Sequence, residues 1–262
     1  MVDPTRRFVE LVSRPEWELP LDEAAFLIAA HAQPGLDVDA QRRRLDDLTG
    51  GERASSVPDL CELLFRRLGF VGNADDYHDP RNSYLDQVLD RRTGIPITLS
   101  LVAMEVGRRM GVPLDGVGLP GHFLLRDGGD PSRYVDAFHG GRLLDEAGVR
   151  EVFCRVHGDG TDFDAAYLEP VGPRAILARM LANLKTVHVA RRDFAQAEWA
   201  IRLRLAIPGV PRIEACELAV AVGSQGRFRE AARELEALAG ILPDDKGDAV
   251  LRRARSLRAR LN

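Results

Sequence analysis

The chain has 262 residues, 45% of them hydrophobic and 29% charged, with a formal net charge of −4. This composition is that of a globular protein and excludes collagen-like, coiled-coil and wholly disordered chains. The acidic balance argues against a nucleic-acid binder, which needs a basic face to neutralise phosphates, and no apolar run approaches the roughly 18 residues of a membrane span.

The first twenty residues carry Asp3, Arg6, Arg7, Glu10 and Arg14 and offer no apolar core for a signal peptide. Cys61, Cys154 and Cys216 are odd in number and form no CxxC pair, so buried thiols in a reducing, cytoplasmic compartment are expected. Phe8, Leu11 and Val12 have helical spacing. A second helix is expected over 21–32, with Asp22 and Glu23 in the first turn, where carboxylates suit the helix dipole, and Gln33-Pro34-Gly35 stopping it. Two more amphipathic helices are expected over 37–48 and 58–68, the last ended by Gly69. Residues 1–70 thus read as a helical region packed on the core.

Residues 71–170 differ. Glycines cluster, and short apolar stretches over 116–119, 122–125 and 134–138 predict strands around a buried helix over 97–110 that opens after Pro96. This is an α+β segment with a small antiparallel sheet. Residues 171–262 return to helix and repeat: Asp193-Phe194-Ala195-Gln196-Ala197 aligns with Arg227-Phe228-Arg229-Glu230-Ala231 at an offset of 34, and Ile201 with Leu235. Pro208 and Pro243 follow, one residue out of step. An aromatic, a small alanine and a closing proline at that period form a degenerate tetratricopeptide pattern. A final helix over 248–261 carries Arg252, Arg253, Arg255, Arg258 and Arg260 as a solvated capping face.

The chemistry-bearing residues lie in the middle segment. His122 and Asp136 are fourteen residues apart and sit on successive predicted strands, so they can face each other across a hairpin. An aspartate that accepts from one imidazole nitrogen fixes the tautomer and orientation of the ring. With a cysteine at a helix N-terminus, this pair would complete a nucleophilic triad; without one, it ties two strands together. Both readings stand on the residues alone. His139 is three residues past Asp136, beside Gly140-Gly141, and a turn there would aim it at the same cleft. His122, Asp136 and His139 are ordinary zinc ligand types, but they lack regular ligand spacing, so neither metal nor cofactor is expected. Asn82 and Tyr84 line the pocket, or Asn82 caps the helix running through 85–88. Thr98 and Ser100 are the hydroxyls nearest the start of the 97–110 helix; Ser100, one turn past Pro96, shares its face but lies deeper.

The run Tyr77-His78-Asp79-Pro80-Arg81-Asn82-Ser83-Tyr84-Leu85, then Gly94-Ile95-Pro96-Ile97, Val117-Gly118-Leu119-Pro120-Gly121-His122-Phe123 and Phe138-His139-Gly140-Gly141 resembles the bacterial SirB-one family. So does the stretch from Ile176 to Lys185, and the likeness runs from about residue 19 to the last repeat. The resemblance implies a papain- or transglutaminase-like core followed by tetratricopeptide repeats. It also implies roles: His122 and Asp136 match the histidine and aspartate of the active core. Counting back from Gly111-Val112-Pro113 puts Pro96 where the nucleophilic cysteine stands. The usual Asp-Pro is Asp136-Ala137 here, a small departure. Proline has neither a nucleophile nor a backbone N–H. The expectation is a non-catalytic regulator or scaffold that binds a protein or peptide through its cleft, its repeats or both, with no nucleic-acid or membrane partner. The alternative is a hydrolase or peptidase that works through His122 and Asp136 with another nucleophile or a metal.

Overall fold

The structure, a computed structural model, describes residues 3–51 and 54–259. Arg260 and Leu261, assigned above to the final helix, lie outside the described residues. Two compact units divide the chain: residues up to Trp17 group with those from Leu177 onward, and Glu18–Ile176 form the other. The expected boundary at residue 70 is therefore not where the units divide. The reason is α1 (Pro4–Val12), whose buried Phe8, Leu11 and Val12 belong with the C-terminal helices, against α9 (Phe194–Ala206).

The unit Glu18–Ile176 begins with α2 (Leu21–Ala32), α3 (Val38–Asp47) and α4 (Val57–Cys61). Asp37 caps α3 by accepting from the Ala40 N–H at 2.9 Å, and Ser56 caps α4 through Asp59. The chain then winds more widely, as a π-helical turn over Glu62–Arg67. Its i→i+5 bond, from Leu68 N–H to Leu63 O at 2.8 Å, is rare in proteins and recurs at functional sites. α5 (Leu85–Arg91) and α6 (Pro96–Met110) follow, joined by a two-residue parallel pairing of β1 (Val71–Gly72) with β2 (Thr93–Gly94).

Five further strands make an antiparallel sheet in the order β6-β5-β4-β3-β7: β3 (Leu114–Val117), β4 (Leu124–Asp127), β5 (Tyr134–Asp136), β6 (Arg142–Leu144) and β7 (Pro170–Val171). Side chains alternate across it. Val117, Leu124, Tyr134 and Leu144 meet Val149, Val152 and Phe153 of α7 (Glu146–His157), while α6 packs against β3 and β4. α6 is itself tied to α2 and α3 by an ion cluster whose Asp22 and Glu105 are buried and whose Asp46 is exposed. Arg109 bonds Asp22 at 2.7 Å, Asp46 at 2.6 Å and Glu105 at 2.6 Å, and Arg42 adds a second cation to Asp22 at 3.2 Å. Burial would raise the Asp22 carboxyl, but Arg109 and then Arg42 outweigh it and hold Asp22 below its usual value.

The other unit holds α8 (Pro173–Ala190) from Leu177 on, α9, α10 (Ala215–Ser224), α11 (Phe228–Ala239) and α12 (Asp244–Ala259). From α9 to α12, successive helices pack side by side over Ala197, Ile201, Val222, Ala231, Leu235 and Ala254, all but fully buried. No helix among the described residues is long and apolar enough to cross a membrane.

Candidate functional site

β4 and β5 form a hairpin in register Leu125↔Val135, and the site gathers at its open end. His122 was expected on a strand but lies in the turn before β4. The Pro120-Gly121 turn, with Gly121 at φ +70°, delays the strand to Leu124. Asp136 ends β5, and the chain then turns back over residues 137–140 into β6. That turn brings His139 to the same carboxylate.

Asp136 is 1% exposed and serves both rings. His122 Nε2 lies 3.0 Å from its Oδ1, His139 Nδ1 lies 2.7 Å from its Oδ2, and the His139 N–H donates to Oδ1 at 3.3 Å. In the neutral rings this fixes the proton of His122 on Nε2 and that of His139 on Nδ1. Burial would raise the Asp136 carboxyl, but the bonds and charge from His122, then His139, prevail and hold it below its usual value. His122 is buried, whereas the His139 side chain is 47% exposed and forms the solvent rim. Phe138 stands edge-on to His122 at 6.2 Å and to Tyr77 at 5.9 Å, making an aromatic wall. The ligand atoms of His122, Asp136 and His139 lie within 4.8 Å of one another, a span that could hold a metal ion.

Of the remaining predicted residues, Asn82 and Thr98 are held by structural hydrogen bonds. Asn82 is not the cap of α5; Tyr84 occupies that position, buried and without a side-chain capping bond. The Asn82 amide instead donates to Asp76 O at 2.8 Å and Tyr77 O at 3.2 Å and accepts from Asn73 and Arg91, which knots the loop before α5. Thr98 Oγ1 donates to Asn82 O at 2.7 Å and accepts from Ile95 N–H at 3.1 Å, fastening that loop to the first turn of α6. Pro96 is the first residue of α6 and is buried. Ser100 is fully buried, and its Oγ has no hydrogen-bond partner among the described residues. Neither hydroxyl bonds to His122.

No residue spacing places Cys61 in one cleft with His139, yet the structure does. The cleft, of about 550 Å³, is also lined by Arg66 and Arg142. Burial, and then the charge of Asp127, push the Cys61 thiol up to about 12. An activated nucleophile needs the opposite shift. Gly141 lets this cleft exist: its φ is +71°, and an added Cβ would fall on the Phe65 ring of the π-helical turn. Gly141→Ala combines left-handed strain with overpacking, so it should destabilise the unit by about 2 kcal/mol. Hydrogen exchange of peptides within 18–176 measures the loss.

The model of the transglutaminase-like superfamily matches residues 30–182. The chain belongs to that superfamily. Its transglutaminase-like domain spans the hairpin, both histidines and Asp136. A UPF0162 protein of Xylella fastidiosa is 41% identical over 210 residues, covering 74% of each chain, and one of Pseudomonas aeruginosa is 38% identical over 178 residues, covering 65% of each. Mouse F-box only protein 21 is 40% identical over 143 residues, which are 51% of this chain and 22% of that one. No solved structure matches the chain.

Proposed function

We propose that this transglutaminase-like protein is non-catalytic and binds a protein or peptide segment in the cleft lined by His139, whose ring is bonded to Asp136 beside His122, acting as a regulator or scaffold. One observation carries the reading: among the described residues, none of Thr98, Ser100 and Cys61 is set up as a nucleophile for the imidazole–carboxylate pair. Thr98 and Ser100 make no bond to His122, and the thiol that shares the cleft with His139 is held protonated. Pro96 at the head of α6, where the resemblance to the SirB-one family places the cysteine, supports it. The C-terminal helices support a second binding surface of tetratricopeptide kind. Phe194 and Phe228 are the first residues of α9 and α11, and the paired positions Ala197 and Ala231, Ile201 and Leu235 are all fully buried. The relative named as an F-box only protein fits a role in protein recognition.

Two assays on the full chain test this. Incubated with a glutaminyl peptide and a fluorescent alkylamine, it should show neither amide transfer nor hydrolysis; turnover abolished by His122→Ala or Ser100→Ala would overturn the reading. Peptides selected from a displayed random library should lose at least tenfold in affinity on His139→Ala, whose side chain is half exposed. A second reading, metal-assisted hydrolysis, is favoured by the close ligand atoms of His122, Asp136 and His139. Submicromolar zinc binding lost in His139→Ala would select it.

A further inference from the structure

The cleft beside His139 has a charge pattern and a neighbour that define its occupant. Arg66 and Arg142 reach it from the π-helical turn and from β6; both are exposed, and neither makes an ion pair among the described residues. Glu62 lines the same wall and is also unpaired, although it precedes Arg66 by four residues. On an α-helix that spacing aligns the two for an ion pair. The wider i→i+5 winding takes them out of that alignment and leaves the guanidinium available.

The neighbour is the edge of the sheet. β6 is terminal in the strand order, and among the described residues no hydrogen bond is made to its outer edge. Leu143, at its centre, is 43% exposed. A second cleft, of about 580 Å³, lies along the same strand on the side of α7. Asp130, Asp145 and Glu151 line it, and its Arg133 is already paired with Asp127 and Asp130. Arg142 and Leu143 border both clefts.

We infer that β6 takes an extended peptide segment of a partner protein as an added strand, with acidic side chains of one parity entering the Arg66–Arg142–His139 cleft. Strand addition supplies affinity through main-chain bonds, and alternate side chains supply specificity. One parity falls on the unpaired guanidiniums, which match carboxylates in bidentate geometry. The other falls on the cleft beside α7, where Asp130, Asp145 and Glu151 outnumber the Arg142 that the two clefts share, so carboxylates are disfavoured there. The recognised pattern is therefore acidic at every second position rather than uniformly acidic. This inference rests on the peptide-binding reading of the His139 cleft and specifies its ligand.

The test uses the full chain and three fluorescein-labelled nonapeptides: Glu and Thr alternating, Lys and Thr alternating, and the Glu–Thr peptide with alternate backbone nitrogens methylated. Anisotropy should show binding of the first, with the other two at least tenfold weaker. Arg66→Gln and Arg142→Gln, which change exposed side chains, should each weaken the first peptide by at least fivefold while leaving circular dichroism unchanged. Hydrogen exchange at 142–144 should slow when it binds. Absence of binding by the Glu–Thr peptide, equal binding of the Lys–Thr peptide, indifference to both arginine substitutions, or protection appearing away from β6 would each overturn the inference. If library-selected peptides still depend on His139 while the Glu–Thr peptide fails, the strand-addition inference falls and the peptide-binding reading stands.

Discussion

Asp136→Ala is expected to lower the stability of residues 18–176 by about 3 kcal/mol, because one buried carboxylate satisfies two imidazoles and a backbone N–H. Its loss leaves His122 Nε2 buried without its acceptor, and charged hydrogen bonds of this kind are worth about 1.5–3 kcal/mol each. Asp136→Asn should fall between the two. Its amide offers one acceptor oxygen, so one imidazole keeps its bond and the other meets an N–H₂ group. Nitrogen chemical shifts of the two rings should show His139 and His122 no longer locked as Nδ1–H and Nε2–H. The pH dependence has a definite sign. Asp136 is held below its usual value near 3.8, so its contribution is present above that pH and is lost as the pH falls from there through the lower value it has in the folded protein. The acid limb of the unfolding curve should therefore be flatter in Asp136→Asn than in the parent. Identical limbs would show that the carboxylate is not paired as described.

Arg109→Ala should cost about 3–4 kcal/mol, although it lies far along α6 from the histidines. The substitution strips the main cation from Asp22, 1% exposed, and Glu105, 5% exposed, and severs the link from α6 to α2 and α3. Removing one partner of a buried ion cluster leaves charge uncompensated, which costs about 3–5 kcal/mol. Arg42 and Arg108 remain beside Asp22 and Glu105 and keep the loss toward the lower end. Arg109→Lys should rescue only part of it, since an ammonium cannot reach Asp22, Asp46 and Glu105 in fork geometry. Below about pH 4 the gap between parent and Arg109→Ala should narrow, because the parent loses the depressed Asp22 carboxylate there and the variant has already lost its benefit. A constant gap across pH 3–7 would refute an ionic origin.

The candidate site was legible in the sequence because it is local. His122, Asp136 and His139 fall within eighteen residues, on a hairpin whose strands announce themselves by apolar runs and whose ends are marked by Pro120-Gly121 and Gly140-Gly141. The four N-terminal helices and the helix after Pro96 were legible for the same reason. What failed was long-range. Asn82 carries the residue type of a helix cap, yet its amide is consumed by Asp76, Tyr77, Asn73 and Arg91. β7 joins the sheet beside β3 from more than fifty residues away, and a two-residue strand has no periodicity to read. The grouping of α1 with the C-terminal helices is invisible to composition, since Phe8, Leu11 and Val12 state only that a partner exists. The cleft shared by Cys61, Arg66 and His139 needed the π-helical winding, which no residue pattern advertises.

That winding has a consequence for how the molecule can change. A π-helical turn is an α-helix carrying one residue too many. Deleting a single residue between Glu62 and Arg67 would let the helix rewind, swing Phe65 off Gly141 and bring Arg66 back into register with Glu62. The placing of Arg66 and Glu62 in the His139 cleft is thus set by a length, not only by side-chain identity, and one codon lost or gained in the helix would change it without altering either side chain.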